Sequence, residues 1–438
     1  MNPTSDEREI TMMRLISILS FLCLFLFTSV GISFAADRTV CFRMKIRDDR
    51  WNCSTSSEAG ARRPCNQGGY VWMVGHQVEL WDKDWSGSDE YIGTWYISGA
   101  GTQCMTFPWE GQSYQKGEAN PDLYLRYINK VNRTGYSNYI YVEGRQQNGN
   151  AATKTSWRNG QSGDPERYVA MNCASGSTCN IFPSGSLVPT NDIASERGLR
   201  IMALDSAQHA LQAFGEVMDT HIKLRYPGRT DCPTSCTPDR DLIHITASRG
   251  NNGFNVSHEV GHAIQMQEFN QDWLRDDCSR NGDGHSLTSI EHESCATTEG
   301  FADYVGVTSW YEPNNSSTVP IGWSTDFEVA QPQSGTCSTN AHMELQVAKA
   351  FWDLDDWNQE NGVAPAAGDD DDLAYSTTAI ARGWRQFPNG SGNRDDGESG
   401  RDGVNMRDYY ANNTGRFTSS NFFETFIRHN CLQAQVND

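Results

Sequence analysis

Two histidines four residues apart constrain the fold of this chain more than any other sequence feature. In the run HEVGH, from His258 to His262, both imidazoles lie on one face only if the backbone is helical. A short strand from Asp241 to Thr246 and a Gly-Asn turn precede the run, and Ser257 is a candidate N-cap. We therefore predict a helix whose histidines bind one metal ion. The alternative is a solvated helix that carries two histidines by chance.

Glu259 lies one step round that helix, beside the predicted ion and not on it. A carboxylate in that position can take a proton from an attacking water and pass it to a leaving amine. Glu299, in the run TEGFADY on a second predicted helix, is the preferred third ligand, and Asp303 shares its face. Glu268 is a weaker alternative. The metzincin pattern is excluded, because Gln265 and Glu268 stand where it requires glycine and histidine.

The two motifs, in this order, resemble those of the gluzincin metallopeptidases, which include the thermolysin and fungalysin groups. The resemblance covers two short runs within about two hundred residues. It implies a zinc cofactor with His258, His262 and Glu299 as ligands and Glu259 as the catalytic base. It also implies that Asp303 accepts the second ring N–H of a zinc histidine.

A further histidine precedes a predicted amphipathic helix in the run NAHMELQVAKAFWDL. Its place resembles that of the oxyanion histidine of the thermolysin group, which implies that His342 stabilises the developing negative charge. Tyr304 and Tyr311 are alternative donors. A capping or surface role for His342 is the simpler alternative.

An apolar run follows Arg14, and small residues at Ser33 and Ala35 suit cleavage after Ala35, which is typical of a secretory signal peptide over residues 1–35. An uncleaved membrane anchor is the alternative. One cysteine lies in this leader and twelve remain, which predicts an oxidising compartment and up to six disulfides. Short bridges such as Cys173–Cys179 and Cys232–Cys236 are sterically plausible. We therefore expect a secreted or cell-surface protein without stable membrane insertion after cleavage.

The net charge of −20 argues against a nucleic-acid partner, because no basic surplus is present to neutralise phosphates. Calcium is a second candidate cofactor beside zinc. Carboxylates cluster at Asp82, Asp84, Asp89 and Glu90, and again in two runs, 369–372 and 393–403. Solvated turns and loops are the preferred interpretation of all of them.

The fold class that these patterns predict is α+β. Residues 37–145 alternate apolar and polar residues between turns, which predicts an antiparallel β-sandwich, and 78–107 resemble transthyretin-like sandwich repeats. Residues 146–190 are predicted to be a linker. Residues 191–438 carry helical spacing and both motifs, which predicts a mostly helical zincin-type domain with a small sheet.

These observations predict a secreted zinc metallopeptidase, preferably an endopeptidase, that acts on proteins or peptides. A secreted binding or adhesion protein with an inactive peptidase domain is the alternative. An aminopeptidase would need a recognisable site for the free amine of its substrate, and the sequence shows none.

Overall fold

The computed structural model describes the chain in segments. These are residues 36–48, 69–82, 89–109, 120–144, 157–158, 173–174, 176–181, 196–228, 232, 234–269, 278, 286–313, 342–355, 375–387, 404–417, 422, 426–427 and 432. The predicted signal peptide, most of the predicted linker and both acidic runs after residue 368 lie outside the described residues. No helix in the described segments is long and apolar enough to cross a bilayer.

Thirteen strands are present in the described segments. They are β1 Ala36–Phe42, β2 Lys45–Asp48, β3 Gly69–Trp72, β4 His76–Asp82, β5 Glu90–Tyr96, β6 Gln103–Trp109, β7 Leu123–Asn132, β8 Tyr139–Gly144, β9 Trp157–Arg158, β10 Thr178–Asn180, β11 Ile222–Tyr226, β12 Cys236–Asp239 and β13 Leu242–His244. Eight of these strands form one sheet with the order β12-β13-β11-β8-β7-β4-β5, in which β9 also pairs with β7.

In the first part of this sheet, apolar and polar residues alternate along β4 as predicted, but both faces of the strand are covered. Val78 and Leu80 are fully buried on one face, and Gln77 and Glu79 on the other face are each only 8% exposed. β4 pairs antiparallel with β5 and β7, and β7 pairs antiparallel with β8. Val40 and Met105 of a smaller sheet, β10-β1-β6, belong to the same buried apolar cluster as Val78 and Leu80 of β4. The large sheet and the smaller sheet therefore share a core, with apolar side chains packed between them.

The second part of the large sheet is parallel at its junction with the first. β11 pairs in parallel with both β8 and β13, and β12 closes the sheet as an antiparallel edge strand. Strands from both sides of the predicted linker therefore share one hydrogen-bonded sheet. The division into domains at 37–145, 146–190 and 191–438 stays a prediction, as does the transthyretin-like resemblance.

Six α-helices are present in the described segments. They are α1 Glu196–Phe214, α2 Gly253–Phe269, α3 Glu293–Thr308, α4 Glu344–Asp355, α5 Thr377–Ala381 and α6 Met406–Asn413, with 3₁₀ turns at Gly215–Val217 and Arg382–Gln386. The second predicted helix, which carries Glu299, corresponds to α3, and the predicted amphipathic helix after His342 corresponds to α4. Helices and sheets occur together, and the α+β class is confirmed.

Helix α1 connects the two parts of the fold. Its apolar residues recur at three- and four-residue spacing, and Leu204, Leu211 and Phe214 are fully buried. A buried polar contact adds to this packing: His76 of β4 lies 2.9 Å from Asp205 of α1 through Nε2, and its Nδ1 lies 2.9 Å from the hydroxyl of Tyr127. Helix α1 also contacts α2, so the sheet fixes the position of the helix with the HEVGH run.

Four disulfides link described cysteines: Cys41–Cys104, Cys173–Cys179, Cys232–Cys236 and Cys278–Cys295. The two short bridges that the spacing allowed are both present. The bridges agree with the predicted oxidising compartment.

Candidate metal centre

Helix α2 begins earlier than the cap residue that the sequence suggested. The helix starts at Gly253, where the Oδ1 of Asn252 accepts the N–H of Asn255 at 2.9 Å. The prediction of Ser257 as N-cap is wrong, since Ser257 lies inside the helix. Its hydroxyl donates to the carbonyl of Ser206 at 3.2 Å and accepts the indole N–H of Trp310 at 3.2 Å. The earlier start places the whole HEVGH run in regular helix.

A glycine lets the two motif helices approach closely. A Cβ added at Gly261 of α2 would lie 2.9 Å from the Cα of Ala302 and 2.9 Å from the Cβ of Val305, both on α3. Real Cβ atoms do not approach backbone atoms so closely. The contact brings the face of α3 that carries Glu299 and Asp303 directly against the histidine face of α2.

The three predicted ligands meet at one point. His258 Nε2 lies 3.2 Å and His262 Nε2 lies 3.0 Å from the same oxygen, Oε2 of Glu299. One donor atom from each residue lies within 4.8 Å of the other two. Asp303 Oδ1 lies 2.7 Å from the second ring nitrogen of His258, Nδ1. His262, Glu299 and Asp303 are buried, and His258 is partly exposed.

This arrangement fits a bound cation. Because a carboxylate only accepts hydrogen bonds, the contact with Asp303 places the Nδ1 proton on His258 and leaves its Nε2 lone pair facing Glu299. Electron-pair donors that converge in this way repel one another unless a proton or a metal ion lies among them. Ligand atoms in a tetrahedral zinc site with bonds of about 2.0 Å are about 3.3 Å apart. The observed separations of 3.0 and 3.2 Å are close to that value.

The electrostatics of His258 agree with this geometry. Burial disfavours the charged imidazole, but the hydrogen bond and negative charge of Asp303 outweigh it and raise the pKa of His258. The carboxylates of Glu259 and Glu344 act in the same direction. The carboxylates around His258 therefore favour positive charge on its ring.

Glu259 has a partner that the sequence analysis missed. Its Oε2 accepts the hydroxyl of Thr237 at 2.7 Å, and the same hydroxyl lies 2.9 Å from the backbone carbonyl of Glu259. Thr237 belongs to β12, 22 residues before Glu259. No local motif connects the two, so only the paired sheet and helix reveal the contact. The contact fixes the carboxylate beside the ligands and not on them.

The site opens into a cleft of about 830 Å³. Residues 234–238, which include the start of edge strand β12, line the cleft together with residues 286–288 and Glu344. His258, Glu259 and Glu299 belong to the same lining, as does Arg249. An elongated ligand in the cleft could therefore contact β12 and all three of the site residues His258, Glu259 and Glu299.

The three predicted oxyanion donors do not line this cleft. Nδ1 of His342 lies 3.9 Å from Glu293, and its backbone carbonyl accepts the N–H of Glu291 at 3.0 Å. The hydroxyl of Tyr304 donates to Asp355 at 2.7 Å in the core, and Tyr311 is also buried. The oxyanion role stays a prediction for His342.

Glu268, the weaker candidate ligand, lies at the far end of α2 and outside the cleft lining. Its carboxylate is ion-paired with Arg385, with Oε1 accepting from the guanidinium at 2.8 Å. Burial raises the pKa of Glu268 to about 7, and the charge of Arg385 offsets only part of that effect. Glu268 therefore has a different partner from Glu259, the other carboxylate of the helix.

Two of the candidate calcium carboxylates, Asp82 and Asp89, accept hydrogen bonds from other parts of the protein. Asp82 Oδ1 accepts the backbone N–H of Asp122 at 2.7 Å, and Asp89 Oδ2 accepts the hydroxyl of Tyr124 at 2.6 Å. Among the described residues, the donor atoms of Asp82, Asp89 and Glu90 do not converge with others as a metal site requires. Asp84 and both acidic runs lie outside the described residues, so calcium stays a prediction.

Comparison with protein families finds one match that contains the site. Residues 218–384 match the Mycolysin C-terminal domain. This stretch is less than half of the chain and contains α2, α3 and α4. The match relates this part of the chain to the metallopeptidases, a class that acts on proteins and peptides and includes secreted enzymes.

Two further comparisons add no functional argument. No curated protein sequence matches the chain. Among solved structures, a 9R-lipoxygenase from Cyanothece PCC8801 matches with 14% identity and a TM-score of 0.18, covering 40% of this chain and 22% of that chain. At that score the likeness carries no weight for fold or function.

Proposed function

We propose that this chain is a secreted zinc-dependent endopeptidase. The observation that carries the proposal is the convergence of His258 Nε2, His262 Nε2 and Glu299 Oε2, with a carboxylate beside them that is held by another hydrogen bond. Two histidines and one glutamate leave a tetrahedral zinc ion an open position, as catalytic sites require. The match to the Mycolysin C-terminal domain supports the same class.

The residues divide the chemistry among them. When bound, zinc supplies Lewis acidity to a substrate carbonyl and to the attacking water. Glu259 takes the proton of that water and delivers it to the leaving amine. Thr237 holds the Glu259 carboxylate in place, and Asp303 holds the ring of His258 in the tautomer that presents Nε2 to the ion.

The cleft suits an extended peptide. β12 is an edge strand of the large sheet, so a substrate can add to it as a further strand through main-chain hydrogen bonds. Pro238 has no N–H and limits this pairing to the residues before it. Peptide binding along residues 234–237 would bring a scissile bond over Glu259. We propose His342 as the oxyanion donor, which requires its ring to turn towards the cleft when substrate binds.

The deciding experiment measures metal content and peptidase activity in the same samples. The purified protein is assayed on casein and on a peptide blocked at both ends, with and without a chelator. Glu259→Gln removes the base and leaves the ligands in place, and Glu312→Gln, exposed and outside the cleft lining, is the matched control. His342→Ala in the same series tests the oxyanion role.

The expected result is stoichiometric zinc in all four proteins, with activity lost in Glu259→Gln and retained in Glu312→Gln. A fall of about 100-fold in kcat for His342→Ala would support its role, and unchanged kcat would remove it. Zinc without cleavage of any substrate would favour the binding-protein alternative. Absence of zinc would overturn the assignment of the site.

A further inference from the structure

A disulfide bridge lies directly against the third zinc ligand. Cys295 and Glu299 are four residues apart on α3 and share one face of the helix. Cys295 is bonded to Cys278, with their Cα atoms 5.1 Å apart. The two sulfur atoms and a carboxylate oxygen of Glu299 all lie within 4.8 Å of one another. The exposed fractions are 7% for Cys278, 0% for Cys295 and 1% for Glu299.

The same carboxylate therefore faces two different sets of donors. Its Oε2 lies 3.0 Å from His262 Nε2 and 3.2 Å from His258 Nε2. The two sulfurs also lie within 4.8 Å of one of its oxygens. As a disulfide they are poor ligands, and as thiolates they are ligands that zinc binds strongly. The oxidation state of one bridge decides whether the second set can bind metal.

We propose that reduction of the Cys278–Cys295 bridge creates a second metal site, formed by the two thiolates and Glu299, which competes with His258 and His262 for the ion. Two sulfurs in a tetrahedral site with bonds of about 2.3 Å are about 3.8 Å apart. Cysteines whose Cα atoms are 5.1 Å apart can reach that separation by rotation of their side chains. Because Glu299 belongs to both sets of ligands, the ion moves only a short distance when it passes from one set to the other.

The redox step balances with a phosphine as the reductant. The phosphine and one water convert the S–S bond into two thiols, and the phosphine leaves as its oxide. A divalent ion then displaces the two thiol protons as two metal–sulfur bonds form. In the oxidised protein the sulfurs cannot bind the ion in this way. The ion is then bound only by the set that contains His258 and His262.

Loss of peptidase activity on reduction would be one consequence, and that consequence rests on the proposed function. An ion bound by the two thiolates and Glu299 is no longer bound by His258 and His262, the helix residues beside which Glu259 lies. The metal site itself does not depend on peptidase activity and is tested separately.

Cobalt(II) absorption tests the proposal without any substrate. The full-length chain is loaded with cobalt(II) in its oxidised form and after treatment with the phosphine, and thiol alkylation with mass spectrometry confirms which bridges have opened. Thiolate ligation gives a near-ultraviolet sulfur-to-cobalt charge-transfer band that histidine and carboxylate ligands do not give. Metal content per chain is measured on the same samples.

Two paired variants separate this bridge from the others. Cys232 and Cys236 also lie near the cleft, since Cys236 lines it, so Cys232→Ser/Cys236→Ser controls for thiols released there. Cys278→Ser/Cys295→Ser removes the proposed ligands. The main comparison, oxidised against reduced wild type, needs neither variant to fold well.

The expected result is a charge-transfer band only after reduction, retained in the first variant and absent from the second, with one ion per chain throughout. No band in the reduced wild type, or a band that survives in Cys278→Ser/Cys295→Ser, overturns the site. A bridge that stays closed in the folded protein also counts against it, and two ions per chain overturn the competition. Failure of the proposed peptidase function would leave the cobalt result unchanged.

Discussion

Replacing Gly261 by alanine tests whether the contact between α2 and α3 sets the geometry of the metal site. The added Cβ would lie 2.9 Å from the Cα of Ala302 and 3.1 Å from its carbonyl oxygen. Backbone atoms of a helix cannot rotate away as a side chain can. The two helices must therefore move apart by about 0.5 Å, the difference between 2.9 Å and ordinary contact at 3.4 Å.

The effect on stability and the effect on metal binding differ in origin. Overpacking costs about 1–3 kcal/mol, and the gain in helix propensity returns about 1 kcal/mol, so the free energy of unfolding should fall by about 1 kcal/mol. The proposed ligands are divided between the helices, with His258 and His262 on α2 and Glu299 on α3. A shift of about 0.5 Å is the limit that a preorganised site tolerates, so zinc affinity should fall about 10-fold.

Gly300→Ala is the matched control for this prediction. Gly300 lies on α3 beside a ligand, but its added Cβ would meet Val347 at 2.5 Å and the carbonyl oxygen of Glu344 at 2.7 Å, both on α4. Helix α4 carries none of the three ligands, so this variant should lose stability with little change in zinc affinity. Urea unfolding of the metal-free proteins and competition with a chelator measure the two quantities. Equal zinc affinity in Gly261→Ala and wild type would refute the reasoning.

Three further variants test single contacts. Asp303→Asn should lower zinc affinity about 10- to 100-fold in a chelator competition, because the amide no longer fixes the His258 tautomer; an unchanged affinity would contradict this role. Thr237→Val should lower kcat roughly 10-fold with full zinc content, since it releases the Glu259 carboxylate; a lower zinc content instead would show that the contact serves the ligands. Burial raises the pKa of Glu268 from 4.5 to about 7, so the folded state binds the proton more tightly, and the free energy of unfolding should fall as pH rises through that interval. Urea unfolding at several pH values should show this slope in wild type and a smaller one in Glu268→Gln; equal slopes would refute it.

The sequence alone predicted those parts of the candidate site that lie within single helices. His258 and His262 lie four residues apart, as do Glu299 and Asp303, so helical periodicity alone places each pair on one face. The structure then brings the two faces together. The α+β class could be predicted for a similar reason, because the alternation of apolar and polar residues and the helical spacing are both local patterns.

Contacts between distant segments of the chain could not be predicted from such local patterns. The hydrogen bond from Thr237 to Glu259 and the ion pair of Arg385 with Glu268 join residues 22 and 117 positions apart. The parallel pairing of β8 with β11 likewise depends on how the chain returns to the sheet. The cap at Asn252 was missed for a smaller reason, since both Asn252 and Ser257 are good cap residues and only the backbone decides between them.

In the proposed peptidase, the division between local and distant contacts also separates catalysis from specificity. The proposed ligands and base come from two adjacent helices whose spacing one glycine sets, so the candidate metal centre is a property of helix packing. The cleft walls come from residues 234–238, residues 286–288 and the start of α4, which are far apart in the sequence. Substitutions in those walls can change which peptide lies over Glu259 without moving a ligand. In the proposed peptidase, the metal centre can therefore stay fixed while the substrate preference varies.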